Sequence, residues 1–134
     1  MEALRAEIER NLELADAAKT LIDRERDMLQ GEVRERLVFH TFHTDAWTAA
    51  VNAGRVDDLG DAEEAVAACY MQLQEVNEVV DWFEQHGNRA AFIPLIRDAV
   101  DGYGRKEVLQ VLREKYDEAE IQLRDARQAV EESG

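Results

Sequence analysis

The sequence predicts an all-α protein, an up-down-up bundle of three long helices with one or two short helices at its corners. Three observations predict this class. Ala, Glu, Leu and Arg dominate the 134 residues, apolar residues recur at steps of three and four over long stretches, and no segment alternates as a strand does. The length suits one domain, residues 1–134, with a single hydrophobic core.

The first long helix is predicted over residues 2 to about 37. Asn11 and Glu25 fall near its apolar seam, and we interpret both as lying at the solvated edge. The alternative is that they set the register of the helix against its neighbours. The seam itself consists of a stripe at helical spacing, widened by a seven-residue repeat: Leu4, Ile8, Leu12, Ala15, Ala18, Ile22 and Leu29, with Leu14, Leu21 and Met28.

Residues 39–59 interrupt the long helices, and we interpret them as the corner of the bundle. Thr44 is the predicted N-cap of a short helix, and Asp45 suits the positive first turn of that helix. Gly54 suits the left-handed position that ends many helices. The apolar face of the short helix is expected to comprise Trp47, Ala50 and Val51.

The third helix is predicted from Asp61, with Glu64 completing a capping-box pattern, to His86. Its inward stripe is expected to comprise Val66, Cys69, Tyr70, Leu73, Val76, Val80 and Phe83. A further segment starts at about Ala90, with Pro94 in its first turn. The final helix starts at Arg105, and its seam is Val108, Leu112, Tyr116, Ala119, Leu123, Ala126 and Val130.

The order of the helices predicts their directions. A tight turn near Gly87 makes the third and last helices antiparallel, so the first helix is expected to run roughly parallel to the last. Both outer seams are longer than the third helix, which predicts that the outer helices extend beyond the bundle. A second copy of the chain is the simplest cover for such overhangs.

The charge of the chain restricts its partners. The net charge is −14, from 30 acidic and 16 basic residues, of which only three are Lys. An acidic surface repels nucleic-acid phosphates and anionic lipids, so we expect no nucleic-acid partner. The composition resembles that of proteins adapted to molar salt, where the Debye length of about 3 Å screens self-repulsion.

Other sequence features predict a cytoplasmic chain without direct membrane insertion. No N-terminal secretion signal is visible, and no run approaches the roughly 18 apolar residues of a membrane span. Cys69 is the single cysteine, which excludes an intramolecular disulfide, and its apolar setting predicts a core residue.

Three residues near the corner are candidate metal ligands. His40, His43 and Asp45 are ligand types, and two histidines across a helix end can approach one ion. The alternative is that the histidines merely flank Phe39 and Phe42 at the end of the bundle. The pattern predicts no resident cofactor.

A nuclease interpretation also starts from this region. Arg34 and Arg36 precede His40 and His43 at spacings that resemble the Arg-x4-6-His element of HEPN helical ribonucleases. The resemblance implies a role for Arg and His at a scissile phosphate. However, that family carries the element late in its bundle, and the acidic charge disfavours an RNA substrate.

A wider pattern carries a second resemblance. Phe42, Thr44 and Trp47 form F-x-T-x-x-W, Gly54-Arg55-Val56 forms a G-x-hydrophobic turn, and Tyr70 precedes Asn77 by seven residues. Over residues 4–80 this resembles a haloarchaeal-like group of uncharacterised prokaryotic helical proteins. Many of them resemble soluble tails behind an N-terminal membrane helix, which is not found in this chain, and the resemblance implies no activity.

The sequence therefore favours a non-enzymatic helical interaction or structural module, adapted to high salt and partnered by itself as a homodimer or by another protein. Trp82 and Phe83 are adjacent and point in different directions on a helix, so Trp82 is the predicted interface residue unless it merely covers a neighbouring helix. The alternative is a metal-dependent or HEPN-like ribonuclease effector that uses His40 and His43.

Overall fold

The computed structural model describes residues 2–28, 39–87 and 105–133, with side-chain surroundings for residues 2–24, 39–85 and 109–133. This part of the chain is helical and contains no strand, which confirms the all-α class. Its elements, in chain order, are α1 (Glu2–Met28), α2 (Asp45–Asn52), a 3-10 segment (Val56–Ala62), α3 (Glu63–Trp82), a π-helical turn (Phe83–Gly87) and α4 (Arg105–Ser133).

The predicted starts of the last and the third helix have different outcomes. The last helix is described from Arg105 onward, so its predicted start lies at the edge of the described residues. The third begins at Glu63 rather than Asp61, with Ala62 at the N-cap and no side-chain capping bond, so the capping-box prediction is wrong. The predicted end of the first helix near residue 37 and the helical segment around Pro94 lie outside the described residues.

The core lies between three long helices, with α4 packed against both α1 and α3. Most described members of the predicted stripes face this core, which confirms their periodicity. Leu12, Leu14 and Leu21 are half-buried, and the side chains of Met28, Leu29 and Val108 lie outside the described residues. The buried side chains are Leu4, Ile8, Ala15, Ala18 and Ile22 of α1, Val66, Cys69, Tyr70, Leu73, Val76 and Val80 of α3, and Leu109, Leu112, Tyr116, Ala119, Leu123, Ala126 and Val130 of α4.

The first and last long helices run antiparallel, so their predicted parallel course is wrong. Arg5, near the start of α1, donates to the carbonyl of Val130 near the end of α4. At the other end, Arg113 binds Asp23 at 2.9 Å. Lys19 binds Asp117 at 2.9 Å between these two contacts.

The third helix also runs antiparallel to α4 and therefore parallel to α1. Gln72 donates to Glu118 at 3.3 Å, and the side chains of Tyr70 and Glu7 join the first halves of α3 and α1. Among the described helices the long ones follow an up-up-down order. The antiparallel course predicted for the third and last helices is thus confirmed, whereas the predicted up-down-up order is not, because α1 and α3 run parallel.

Residues 39–44, which form neither helix nor strand and which we refer to as the strap, account for this order. The strap lies between α1 and α3 and carries the chain from the level of Glu84 back to that of Glu7, where α2 begins. The chain therefore enters α3 at the end of the bundle where α1 started. Residues 39–44 occupy the place that a fourth helix would fill in an ordinary bundle.

The outer helices, with 27 and 29 residues, are longer than α3 with its 20 residues, and they pair with each other. Their contacts extend from Arg5 beside Val130 to Asp23 beside Arg113, and the inward side chains over this length are buried in the single chain. The seams of α1 and α4 thus cover each other. Within the same part of the chain, no helix combines the length and apolarity needed to cross a bilayer.

Candidate functional site

The main concentration of buried polar groups surrounds the strap. Glu7 and Asn11 of α1 are the buried charged and amide side chains of the described part, at 1% and 0% exposure. From α3, the buried Tyr70 and the half-buried Asn77 approach from the opposite side. A buried polar side chain is costly unless it is hydrogen-bonded, so the partners of this group define its role.

Asn77 binds both backbone groups of a single strap residue. Its Oδ1 accepts the N–H of Phe42 at 2.7 Å, and its Nδ2 donates to the carbonyl of the same residue at 3.1 Å. A neighbouring strand would pair with a residue of an extended chain in this way. The α3 side chain therefore satisfies backbone groups that no secondary structure serves.

Asn11 makes the equivalent pair of bonds from the other side. Its Oδ1 accepts the N–H of His43 at 2.9 Å, and its Nδ2 donates to the His43 carbonyl at 2.9 Å. Successive residues of an extended chain direct their backbone groups to opposite sides. Phe42 is therefore bound to α3 and His43 to α1, which fixes the strap between the two helices.

Glu7 extends this arrangement to the start of α2. Its two carboxylate oxygens accept the N–H groups of Ala46 at 2.8 Å and Trp47 at 3.4 Å, and the Tyr70 hydroxyl donates to it at 2.7 Å. Thr44 occupies the N-cap position, as predicted, but its side chain makes no capping bond. The Glu7 carboxylate of α1 thus replaces the N-cap side chain at the start of α2, where the helix dipole favours negative charge.

Aromatic side chains fill the space beneath the strap. Phe39 and Phe42 point inward and lie with ring centroids 6.1 and 5.6 Å from that of Tyr116 on α4. Phe39 also meets Phe83 edge-on at 5.6 Å, and Trp47 stacks on Tyr70 at 5.2 Å. Phe39 and Phe42 are therefore buried core residues that pack against α4.

Glu7 was not among the predicted site residues, and Asn11 was predicted in the wrong position. Asn11 is fully buried, so the predicted position at a solvated edge is wrong, because the amide is needed by the backbone of His43. Glu7 continues the seven-residue repeat of Leu14, Leu21 and Met28 toward the N-terminus. A carboxylate at a position of an apolar repeat indicates a side chain that is buried and hydrogen-bonded, and this was the feature of the sequence that could have identified Glu7.

The candidate metal ligands are not assembled into a site. His40, His43 and Asp45 are all exposed, and the described residues contain no group of three or more His, Cys, Asp or Glu side chains that could hold a metal ion. We refer to the side chains of Glu7, Asn11, Tyr70 and Asn77, with their bonds to the strap and to α2, as the clamp. His43 contributes its backbone to the clamp, whereas its imidazole faces outward. The residues Arg34 and Arg36 of the nuclease interpretation lie outside the described part of the chain.

Several residues of the resembling pattern meet in this arrangement. Phe42, Trp47, Tyr70 and Asn77 all belong to the clamp or pack on it. Gly54 has a φ of 68°, which confirms the predicted left-handed turn and disfavours any residue with a side chain there. These residues of the pattern therefore make contacts that hold the fold together.

The two buried tyrosines offer a matched test of the clamp. The Tyr70 hydroxyl donates to Glu7, whereas the Tyr116 hydroxyl is buried and has no hydrogen-bond partner among the residues described. We expect Tyr70→Phe to lower the free energy of unfolding by about 2 kcal/mol, because Glu7 loses a donor. Tyr116→Phe should leave it unchanged or raise it by about 1 kcal/mol. Urea denaturation of both variants measures the difference, and equal losses would contradict the assignment.

Burial also predicts how the protein responds to alkali. Burial raises the pKa of the Cys69 thiol from 9.0 to about 12, and it raises the pKa of Tyr70 and Tyr116 above the usual 10.0. The unfolded chain releases these protons at a lower pH than the folded protein does. The free energy of unfolding therefore has its full value below about pH 9 and falls as the pH rises beyond it. Denaturation curves at successive pH values should show this decline, and Cys69→Ala should make it shallower. A stability that stays flat from pH 9 to 11 would contradict it.

Comparison of the chain with protein-family models, curated proteins and solved structures gave no match. The resemblance to the haloarchaeal-like helical group therefore remains a prediction. The class defined by the fold itself is that of an all-α bundle with an extended strap between two parallel helices. In this bundle the main group of buried polar side chains binds backbone groups of the chain itself.

Proposed function

We propose that this protein is a non-enzymatic interaction module, a rigid helical body that presents an outer surface to another protein. The observation that carries the proposal is the use made of the buried polar side chains. Glu7, Asn11 and Asn77 are the groups that could otherwise act on a substrate, and each binds strap or α2 backbone through its polar atoms. What remains for recognition is the outside of the helices.

We propose that the partner is a different protein and not a second copy of the chain. The homodimer was expected because the outer seams had no cover, but α1 and α4 cover each other over the described length. A net charge of −14 on each copy adds repulsion between copies. We therefore assign the partner role to a different chain and retain adaptation to high salt as part of the proposal.

The proposal is tested by the size of the protein in extracts of the cells that make it. An epitope-tagged copy is separated by size-exclusion chromatography with light scattering, in molar KCl and again in low salt. We expect the tagged protein to migrate well above its own 15.3 kDa in molar KCl, whereas the purified chain alone remains a monomer. A free monomer in the extract would overturn the proposal.

The same separation tests salt adaptation. In low salt the self-repulsion of an acidic chain is unscreened, so the purified protein should expand and elute earlier without gaining mass. An unchanged elution volume across the salt range would show that the acidity has no such role. A purified chain of twice the monomer mass would restore the homodimer as the functional form.

A further inference from the structure

The outward face of α3 differs in composition from the other helix surfaces. Met71 is 72% exposed, the highest value among the large hydrophobic side chains of the described part. Ala68 lies one turn before it, and its small side chain leaves a shallow depression beside the thioether. The remaining exposed positions of this stripe carry carboxylates: Glu64, Glu75 and Glu78.

These positions form one continuous line along the helix. Glu64, Ala68, Met71, Glu75 and Glu78 follow one another at steps of four and three, the spacing with which one helix contacts another. All five are exposed, whereas the core positions between them are buried. Trp82 continues the same line by four residues and is half-buried, so the predicted interface residue falls on this stripe.

The charge of this face is also one-sided. Residues 56–88 contain nine acidic residues and no Lys or Arg, whereas the rest of the chain carries 21 acidic and all 16 basic residues. On α1 and α4, some of the acidic side chains are paired with bases, as in Lys19 with Glu120 and Arg127 with Glu9. Glu64, Glu75 and Glu78 form no ion pair within the described part of the chain. Solvent adaptation alone would not place every base elsewhere.

We propose that the outward stripe of α3 docks a basic amphipathic helix of a partner protein. This inference rests on the proposed function and specifies its partner. Apolar side chains of the incoming helix pack on Ala68 and Met71, and its Lys or Arg side chains face Glu64, Glu75 and Glu78. A second copy is excluded as the occupant, because two such faces would oppose glutamate to glutamate.

A synthetic probe tests the chemistry of the face. The probe is a peptide of about 20 residues with Leu at helical spacing and Lys elsewhere, compared with an equally charged peptide that has Gln in place of Leu. Binding to the full-length protein is followed by fluorescence anisotropy at 0.1 M KCl and at higher salt. We expect one-to-one binding, at least tenfold tighter for the Leu peptide and weakening as salt increases.

Matched variants separate the α3 face from general charge attraction. Glu75→Gln with Glu78→Gln should weaken binding about tenfold, and Met71→Ser should remove most of the preference for the Leu peptide. The control Glu2→Gln with Glu13→Gln removes the same charge from exposed positions of α1 and should change binding less than twofold. Equal effects of both pairs, or equal binding of both peptides, would overturn the assignment of the face.

A variant in the cell distinguishes failure of this inference from failure of the proposed function. Met71→Lys alters an exposed side chain and places a base in the centre of the face, so the fold is kept and docking is opposed. We expect the tagged variant to migrate as a free monomer in the extract while the wild-type protein stays in its complex. A variant that remains in the complex refutes the α3 site alone, whereas a wild-type protein without a complex refutes the interaction module itself.

Discussion

Glu7→Met is expected to lower the free energy of unfolding by about 4 kcal/mol, the largest effect of a single substitution that we predict. The methionine keeps the length of the side chain but accepts no bonds from Ala46, Trp47 or Tyr70. A buried donor without an acceptor costs about 1–3 kcal/mol, and three are left here, one of them from a long bond. Since domains are stable by about 5–15 kcal/mol, the loss is a large share of the total. Urea denaturation in molar KCl measures it.

Two further variants show whether the loss arises from hydrogen bonding. Glu7→Gln retains one accepting oxygen but sets an NH2 group against a backbone or hydroxyl donor, so it should lose about half as much stability. Glu13→Gln removes a carboxylate from an exposed position of the same helix and should stay within about 0.5 kcal/mol of the wild type. If Glu7→Met were as mild as the Glu13 control, the clamp would not contribute to stability.

Replacing both clamping amides is the second large prediction. Asn11→Ala and Asn77→Ala each leave the N–H and C=O of one strap residue without their partner, so each should cost about 2 kcal/mol. Because His43 and Phe42 are adjacent, loss of one amide loosens the strap for the other. The double variant should therefore cost about 1 kcal/mol less than the two single losses together. A denaturation cycle of the four proteins measures this coupling.

Asn52→Ala provides the matched control for the amide variants. Asn52 is the exposed last residue of α2, so its replacement should change stability by no more than about 0.5 kcal/mol. Strictly additive losses at Asn11 and Asn77 would mean that the two helices hold the strap independently. A loss at Asn52 equal to those at the clamp would show that the effect does not arise from the bonds to the strap.

The sequence predicted those parts of the fold that depend on local periodicity. Most described members of the stripes of α1, α3 and α4 are buried as their spacing indicated, and Gly54 takes the left-handed turn. Each of these features depends on residues close together in the chain. Helical spacing and the freedom of glycine are sufficient to predict them.

The order of the helices and the clamp depend on contacts between residues far apart in the chain. Asn11 and His43 are 32 positions apart, and Tyr70 is 63 positions from Glu7. An extended segment held by side chains has no periodic pattern, so residues 39–44 resembled a corner at the end of the bundle. The sequence likewise does not distinguish a buried asparagine from an exposed one, because the difference lies in its hydrogen-bond partner.

Hydrogen exchange of the strap amides, followed residue by residue by NMR in molar KCl, tests most directly the claim that buried polar side chains hold the strap between two helices. The N–H groups of Phe42 and His43 should exchange more than about a thousandfold slower than in an unstructured chain, as slowly as those of α1 and α3. Thr41 lies in the same segment, and its N–H has no partner among the described residues, so it should exchange quickly. Rapid exchange at Phe42 and His43, at the rate of Thr41, would contradict the account.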